Sequence, residues 1–159
     1  MPFTDDKEDI NAPLPRMSRE SALTWAKEYT SYLGTVAAVD IDRATEVTHY
    51  EDCVGEGDEV AEDGRFSLFY YVFAEVPTEQ QTDVVRKLKS RLAKEGFEVT
   101  GYREYQDSRY TATFSARHEK DGYSVMSDPG KPHKGAPSSM SFGVRTLCML
   151  PPGVKQQQF

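Results

Sequence analysis

The longest run of β-forming residues is RFSLFYYVFAEV, Arg65–Val76. Alternate positions place Phe66, Leu68, Tyr70, Val72 and Ala74 on one face and Ser67, Phe69, Tyr71, Phe73 and Glu75 on the other. Successive strand side chains point to opposite faces. Two largely apolar faces therefore predict a strand covered on both sides, or one whose second face meets a partner.

Upstream, Ala22, Trp25, Ala26, Tyr29, Leu33, Val36 and Ala37 recur at spacings of three and four, the stripe of a helix running to about Ala38 with Trp25 and Tyr29 in the core. Ser18 suits its N-cap, and Glu20 lies in the first turn where the helix dipole favours an acid. Asp40–Ala44 reads as a polar break, Thr45–Tyr50 as a short strand carrying His49, and Glu51–Gly64 as a solvated acidic hairpin loop. That loop lacks the ligand spacing of an EF-hand. After Pro77, Thr78 and Gln81 form a predicted capping box. Val84, Val85, Leu88 and Leu92 make the apolar stripe of a second helix, and Gly96 supplies its left-handed C-cap, closed by Phe97. Arg86, Lys87, Lys89, Arg91 and Lys94 form a solvated basic face.

From Phe97 the period switches to two. Val99 and Gly101 continue the first strand, Tyr110, Ala112, Phe114 and Ala116 mark the next, Tyr123 and Val125 a third, and Met140, Phe142 and Val144 the last, which runs to about Cys148. Asp121-Gly122 is a hairpin turn signal, and Asp128–Ser138 reads as a mobile loop. Thr111, Thr113, Ser115, Ser139 and Ser141 make the opposite face polar, so one side of the sheet is covered and one is wet. The expected fold is α+β in two layers: an antiparallel sheet of about five to six strands with two helices packed on one face. Residues 1–17 read as a disordered leader, 18–150 as a single domain and 151–159 as a flexible tail.

The length of 159 residues suits one core, and a net charge of −7 argues against nucleic acid and against an anionic membrane surface. No apolar run approaches the roughly 18–20 residues of a membrane span. The acidic N-terminus has no signal-peptide pattern, which leaves a cytosolic protein or a mature form whose targeting segment has been removed.

The only histidines are His49, His118 and His133, and none sits in a catalytic motif. His49 is expected to be the partly buried one, in a structural role. No catalytic residue, metal site or cofactor is expected. Cys53 and Cys148 are either two unrelated buried thiols or one disulfide closing a long loop, with the segment before Cys53 and the last strand as sheet neighbours. The wet face of this strand carries either Phe66, Leu68 and Tyr70 or Phe69, Tyr71 and Phe73; the second set is expected to face away from the helices and, with Tyr102, to offer a surface for self-association or a partner. The alternative is that the leader or first helix covers them.

Five features carry a resemblance: a first helix SRESALTWAKEYT, a cysteine soon after the next segment, DGRFSLFYYVFAEVP, a helix ending RLAKEGFEVTGYRE, and the late FGVRTLC. Over Met17 to Cys148 this resembles the small, mostly uncharacterised lipoprotein-like domains of actinobacteria. The resemblance implies an exported, membrane-tethered domain with Cys53 paired to Cys148, although no lipobox cysteine stands in this sequence. The expected function is a non-catalytic extracytoplasmic binding or interaction domain, associated with the cell envelope and taking an unknown protein or envelope partner. Two rival readings are a cytosolic acidic adaptor or immunity-type protein with free thiols, and a hydrolase with histidine or carboxylates on loops.

Overall fold

A computed structural model describes residues 10–55, 57–107 and 110–159. Its elements in chain order are α1 (Arg19–Ala37), β1 (Ile41–Asp52), β2 (Phe66–Glu75), α2 (Thr78–Ala93), β3 (Phe97–Asp107), β4 (Tyr110–His118), β5 (Ser124–Pro129) and β6 (Ser139–Arg145). The strands form one antiparallel six-stranded sheet in the order β1-β2-β6-β5-β4-β3, and both helices lie on one face. This is the two-layer α+β arrangement that the periodicities imply.

The helix-side set of β2 is the centre of the core. Phe66, Leu68, Tyr70 and Val72 are fully buried, against Leu33 of α1 and Val85, Leu88 and Leu92 of α2. Small residues at Ala22, Ala26, Gly34 and Ala37 let α1 approach closely, and a methyl group at Gly34 would stand 2.6 Å from Ile41 Cγ1. Trp25 and Tyr29 are only partly buried, packed with Phe97 and Tyr123 at the edge of the core. The buried Tyr70 hydroxyl accepts from Arg43 Nη1 at 2.8 Å and donates to Glu46 Oε2 at 2.5 Å. Burial and that carboxylate push its pKa up to about 12.

Several local expectations change. The Asp40–Ala44 break is mostly strand: β1 starts at Ile41, and the polar residues form an irregularity in its pairing with β2 between Asp42 and Val47. There the Thr45 hydroxyl accepts the Phe73 N–H at 2.9 Å, in place of a β1 carbonyl. The Thr78–Gln81 capping box does not form. Gln81 is buried, donates to Val76 O at 3.0 Å and accepts the Thr111 hydroxyl at 2.6 Å, because these groups would otherwise be buried without partners. Thr111 is therefore buried rather than on the wet face. The Ser18 cap does form, accepting the Ser21 N–H at 3.0 Å.

Cys53 and Cys148 are disulfide-bonded, with α-carbons 6.2 Å apart. The strands leading to them are not neighbours as expected: β1 and β6 flank β2, and the link joins their ends beside the start of β2. From residue 10 onward the segment read as leader is bonded to the end of the domain at Leu150 and to the segment read as tail. Met17 N–H donates to Leu150 O at 3.1 Å, Leu150 N–H to Pro15 O at 2.9 Å, and Phe159 N–H to Asn11 Oδ1 at 2.8 Å. Contacts of this kind leave no periodic trace in the sequence. Residues 1–9 of the expected leader lie outside the described residues. No helix among the described residues is long and apolar enough to cross a membrane.

Candidate functional site

The face of the sheet away from the helices follows from register. Directly paired strand residues share a face. Phe69, Tyr71 and Phe73 of β2 lie opposite Arg145, Gly143 and Ser141 of β6, and Gly143 and Ser141 lie in turn opposite Met126 and Asp128 of β5. The aromatic set thus points outward, where its side chains are half-buried, while the alternate positions of β2 are fully buried.

Residue size along β6 makes a trough. Its outward positions are Ser139, Ser141 and Gly143, small side chains between a wall of Tyr71 and Phe73 and a wall of Met126 and Asp128. At Gly143 an added methyl group would stand 3.2 Å from Tyr71 Cβ and 3.3 Å from Met126 Cγ, so glycine keeps the floor low between the walls. Seven strand residues at about 3.4 Å each make β6 roughly 24 Å long.

Both ends are closed. At one, Arg145 lies over the Phe69 ring at 4.4 Å and reaches across β2 to Glu51 on β1, at 3.1 Å. At the other, residues 130–138 border the trough, anchored where Gly130 N–H donates to Ser139 O at 2.8 Å and Val76 N–H to Ser138 O at 3.0 Å. Asp128 and Pro129, expected at the start of this loop, instead extend β5. The cleft is open to solvent along its length and has a volume of about 660 Å³. The aromatic rings tilt against one another, at 5.1 Å for Phe69–Tyr71 and 5.9 Å for Tyr71–Phe73, so they form a ridged wall rather than a flat platform.

Three carboxylates line the cleft, Asp42, Glu75 and Asp128, with Lys131 and His133 on the loop. The backbone carbonyl of Asp128 accepts the Ser141 hydroxyl at 3.3 Å. Among the described residues neither an ion pair nor a hydrogen bond reaches the Asp128 carboxylate. Burial holds that carboxyl above its usual range, since the charged form is partly stripped of water with nothing to replace it.

Tyr102 does not join this surface. It lies on the helix side of β3, four strands from β2, with Lys89 of α2 over its ring at 4.3 Å. Alternation identifies a residue's partners on its own face but not which strands lie beside it. His49 is on the outer face and exposed, its ring 6.3 Å from Tyr71. The more buried histidine is His118, stacked on Tyr123 at 5.0 Å, with Nδ1 accepting the Asp121 N–H at 3.0 Å. Among the described residues no histidine is hydrogen-bonded to a serine or threonine hydroxyl, and no group of three or more His, Cys, Asp or Glu is placed to hold a metal ion.

Met126, Asp128 and Gly143 are the site residues that sequence reasoning missed. Gly143 carried a signal, as a glycine inside a strand marks close backbone approach or missing bulk. Comparison with models of protein families, with curated proteins and with solved structures returns no match.

Proposed function

We propose that the protein is a non-catalytic extracytoplasmic binding domain whose ligand seats in the trough along β6. The observation that carries this reading is the separation of two apolar sets on β2: one fills the core, and the other lines an open cleft. Three adjacent outward aromatic side chains are unusual on a surface without a partner, and the cleft volume falls within the range of small-molecule sites. The Cys53–Cys148 disulfide supports an oxidising compartment and so an exported protein. Attachment to the cell envelope follows from the sequence resemblance alone.

The hydrolase reading has its residue types in the same cleft, since His133 and Asp128 line it with Ser139 and Ser141. The Ser141 hydroxyl, however, donates to a backbone carbonyl rather than to a base, which favours the binding reading. Under the adaptor reading both thiols would be free in protein from its native source, which a thiol count decides.

The test is protein-observed NMR with a fragment library of mixed charge. Binding in the trough predicts that hits shift the amides of β2, β5 and β6 and the Met126 methyl group, without chemical turnover. Hits confined to other surfaces would contradict it. Outer-face shifts that depend on protein concentration alone would point to self-association instead.

A further inference from the structure

We infer that the trough is a seat for a small organic cation: an ammonium or guanidinium group on an apolar stem, its charge beside Asp128 and its stem along Tyr71, Phe73 and Met126. The inference rests on the proposed binding function and names the chemistry of its ligand.

Charge complementarity selects this occupant. The cleft presents three carboxylates against one lysine and one histidine, so acidic side chains outnumber basic ones. Asp128 is the informative member. It is half-buried on β5, opposite Ser141, and no cation or hydrogen-bond donor among the described residues reaches its carboxylate. The other carboxylates of the outer face and the bulge are already engaged or exposed: Glu51 pairs with Arg145, Asp42 accepts the Ala44 N–H at 3.0 Å, and Glu75 is exposed. A partly desolvated carboxylate without a partner is costly to keep, and an incoming cation removes that cost.

The opposite wall suits the same charge. Tyr71 and Phe73 present π-faces and edges, and a cation within about 6 Å of such a ring is attracted by its quadrupole. The fold already uses this contact at the closed end of the trough, where the Arg145 guanidinium lies over Phe69. An anionic ligand would meet three carboxylates, Asp42, Glu75 and Asp128, with only Lys131 and His133 on the loop to offset them. A neutral apolar ligand would bury Asp128 further and pair it with nothing. The apolar stem has a place because Tyr71 and Phe73 on one wall and Met126 on the other offer it apolar surface.

The experiment titrates the intact, oxidised protein with three probes of nearly one shape: phenylbutylammonium, phenylbutanol and phenylbutyrate. Calorimetry and amide shifts are read together. The expected order is ammonium tightest, about tenfold or more over the alcohol, with the carboxylate weakest. Asp128→Asn should bring ammonium affinity down to that of the alcohol and leave the alcohol unchanged. The same variant should melt at or above the wild-type temperature, because it removes a desolvated charge, so lost affinity would not reflect unfolding. If the alcohol or carboxylate binds the trough as tightly as the ammonium, the cation inference is overturned while the binding function stands. If no probe of any charge shifts the outer face, both fail.

Discussion

Gly143 stands directly across from Tyr71 in the β2–β6 ladder, and a side chain there would begin 3.2 Å from the Tyr71 β-carbon. The missing side chain is therefore opposite the centre of the aromatic wall, where Tyr71 and Met126 pack closely over the strand. Gly143→Val should push Tyr71 and Met126 apart and reshape the adjoining cleft. A β-branched residue suits a strand, and its gain offsets the tight contacts, so unfolding free energy should change by no more than about 1–2 kcal/mol. Affinity for phenylbutylammonium should fall about tenfold. Urea denaturation and the calorimetric titration check the two halves separately.

The disulfide spans 95 residues of sequence. In the chain-entropy model, closing a loop of that size contributes about 4 kcal/mol or more. Cys53→Ser combined with Cys148→Ser should lower the melting temperature by about 10 °C. An unchanged melting temperature would mean that the link does not restrain the unfolded chain.

Asp63 and Arg65 form a buried ion pair at 2.6 Å, each side chain 3% exposed, and the C-terminal segment is built on it. Asp63 also accepts the Gln157 N–H at 2.9 Å, and the Phe159 ring lies 5.1 Å from the Arg65 guanidinium. The Arg65 hydrogen bonds hold the Asp63 carboxyl well below its ordinary value of 3.8. A folded pKa below the unfolded one gives stability that is full above the unfolded value and is lost as pH falls through the folded one. Wild-type stability should thus decline more steeply below about pH 4 than that of Asp63→Asn, which lacks the titrating group. Glu104, lowered to about 2 by Arg86, adds to the decline in both proteins, so the difference between the two curves isolates Asp63. Parallel curves in urea denaturation from pH 7 to pH 2 would contradict this.

Ser127 is fully buried on the helix side of β5, and its hydroxyl has no hydrogen-bond partner among the described residues. Removing an unpaired buried hydroxyl should stabilise, so Ser127→Ala is expected to raise the unfolding free energy by about 1 kcal/mol. Chemical denaturation measures it.

What the sequence made legible was local. The spacing of Val84, Val85, Leu88 and Leu92 and the alternation through Tyr110–Ala116 have a fixed relation to geometry, and both elements are where the pattern puts them. The same alternation sorted β2 into two sets but did not decide which faces outward; the register with β6 and the burial of Phe66, Leu68 and Tyr70 do. The insertion of β6 between β2 and β5 was not legible either, because pairing between distant strands is set by the whole set of contacts rather than by any one segment. Without that order Met126 and Asp128 could not be placed beside the aromatic wall, and Tyr102 was misplaced there. Gln81 failed for a related reason: its amide can cap a helix or satisfy buried groups, and only burial decides between them.

If the proposed function holds, β2 carries two separable apolar sets, one that fills the core and one that a ligand covers. The direct measurement is the unfolding free energy of the double variant Phe69→Ser, Tyr71→Ser by urea denaturation. Half-buried cross-strand contacts contribute up to about 1 kcal/mol each, so the transition should stay cooperative and fall by no more than about 2 kcal/mol. A loss of about 6 kcal/mol or more, the scale of truncating two core aromatic residues, or failure to fold, would show that Phe69 and Tyr71 belong to the core and that the trough is not a site.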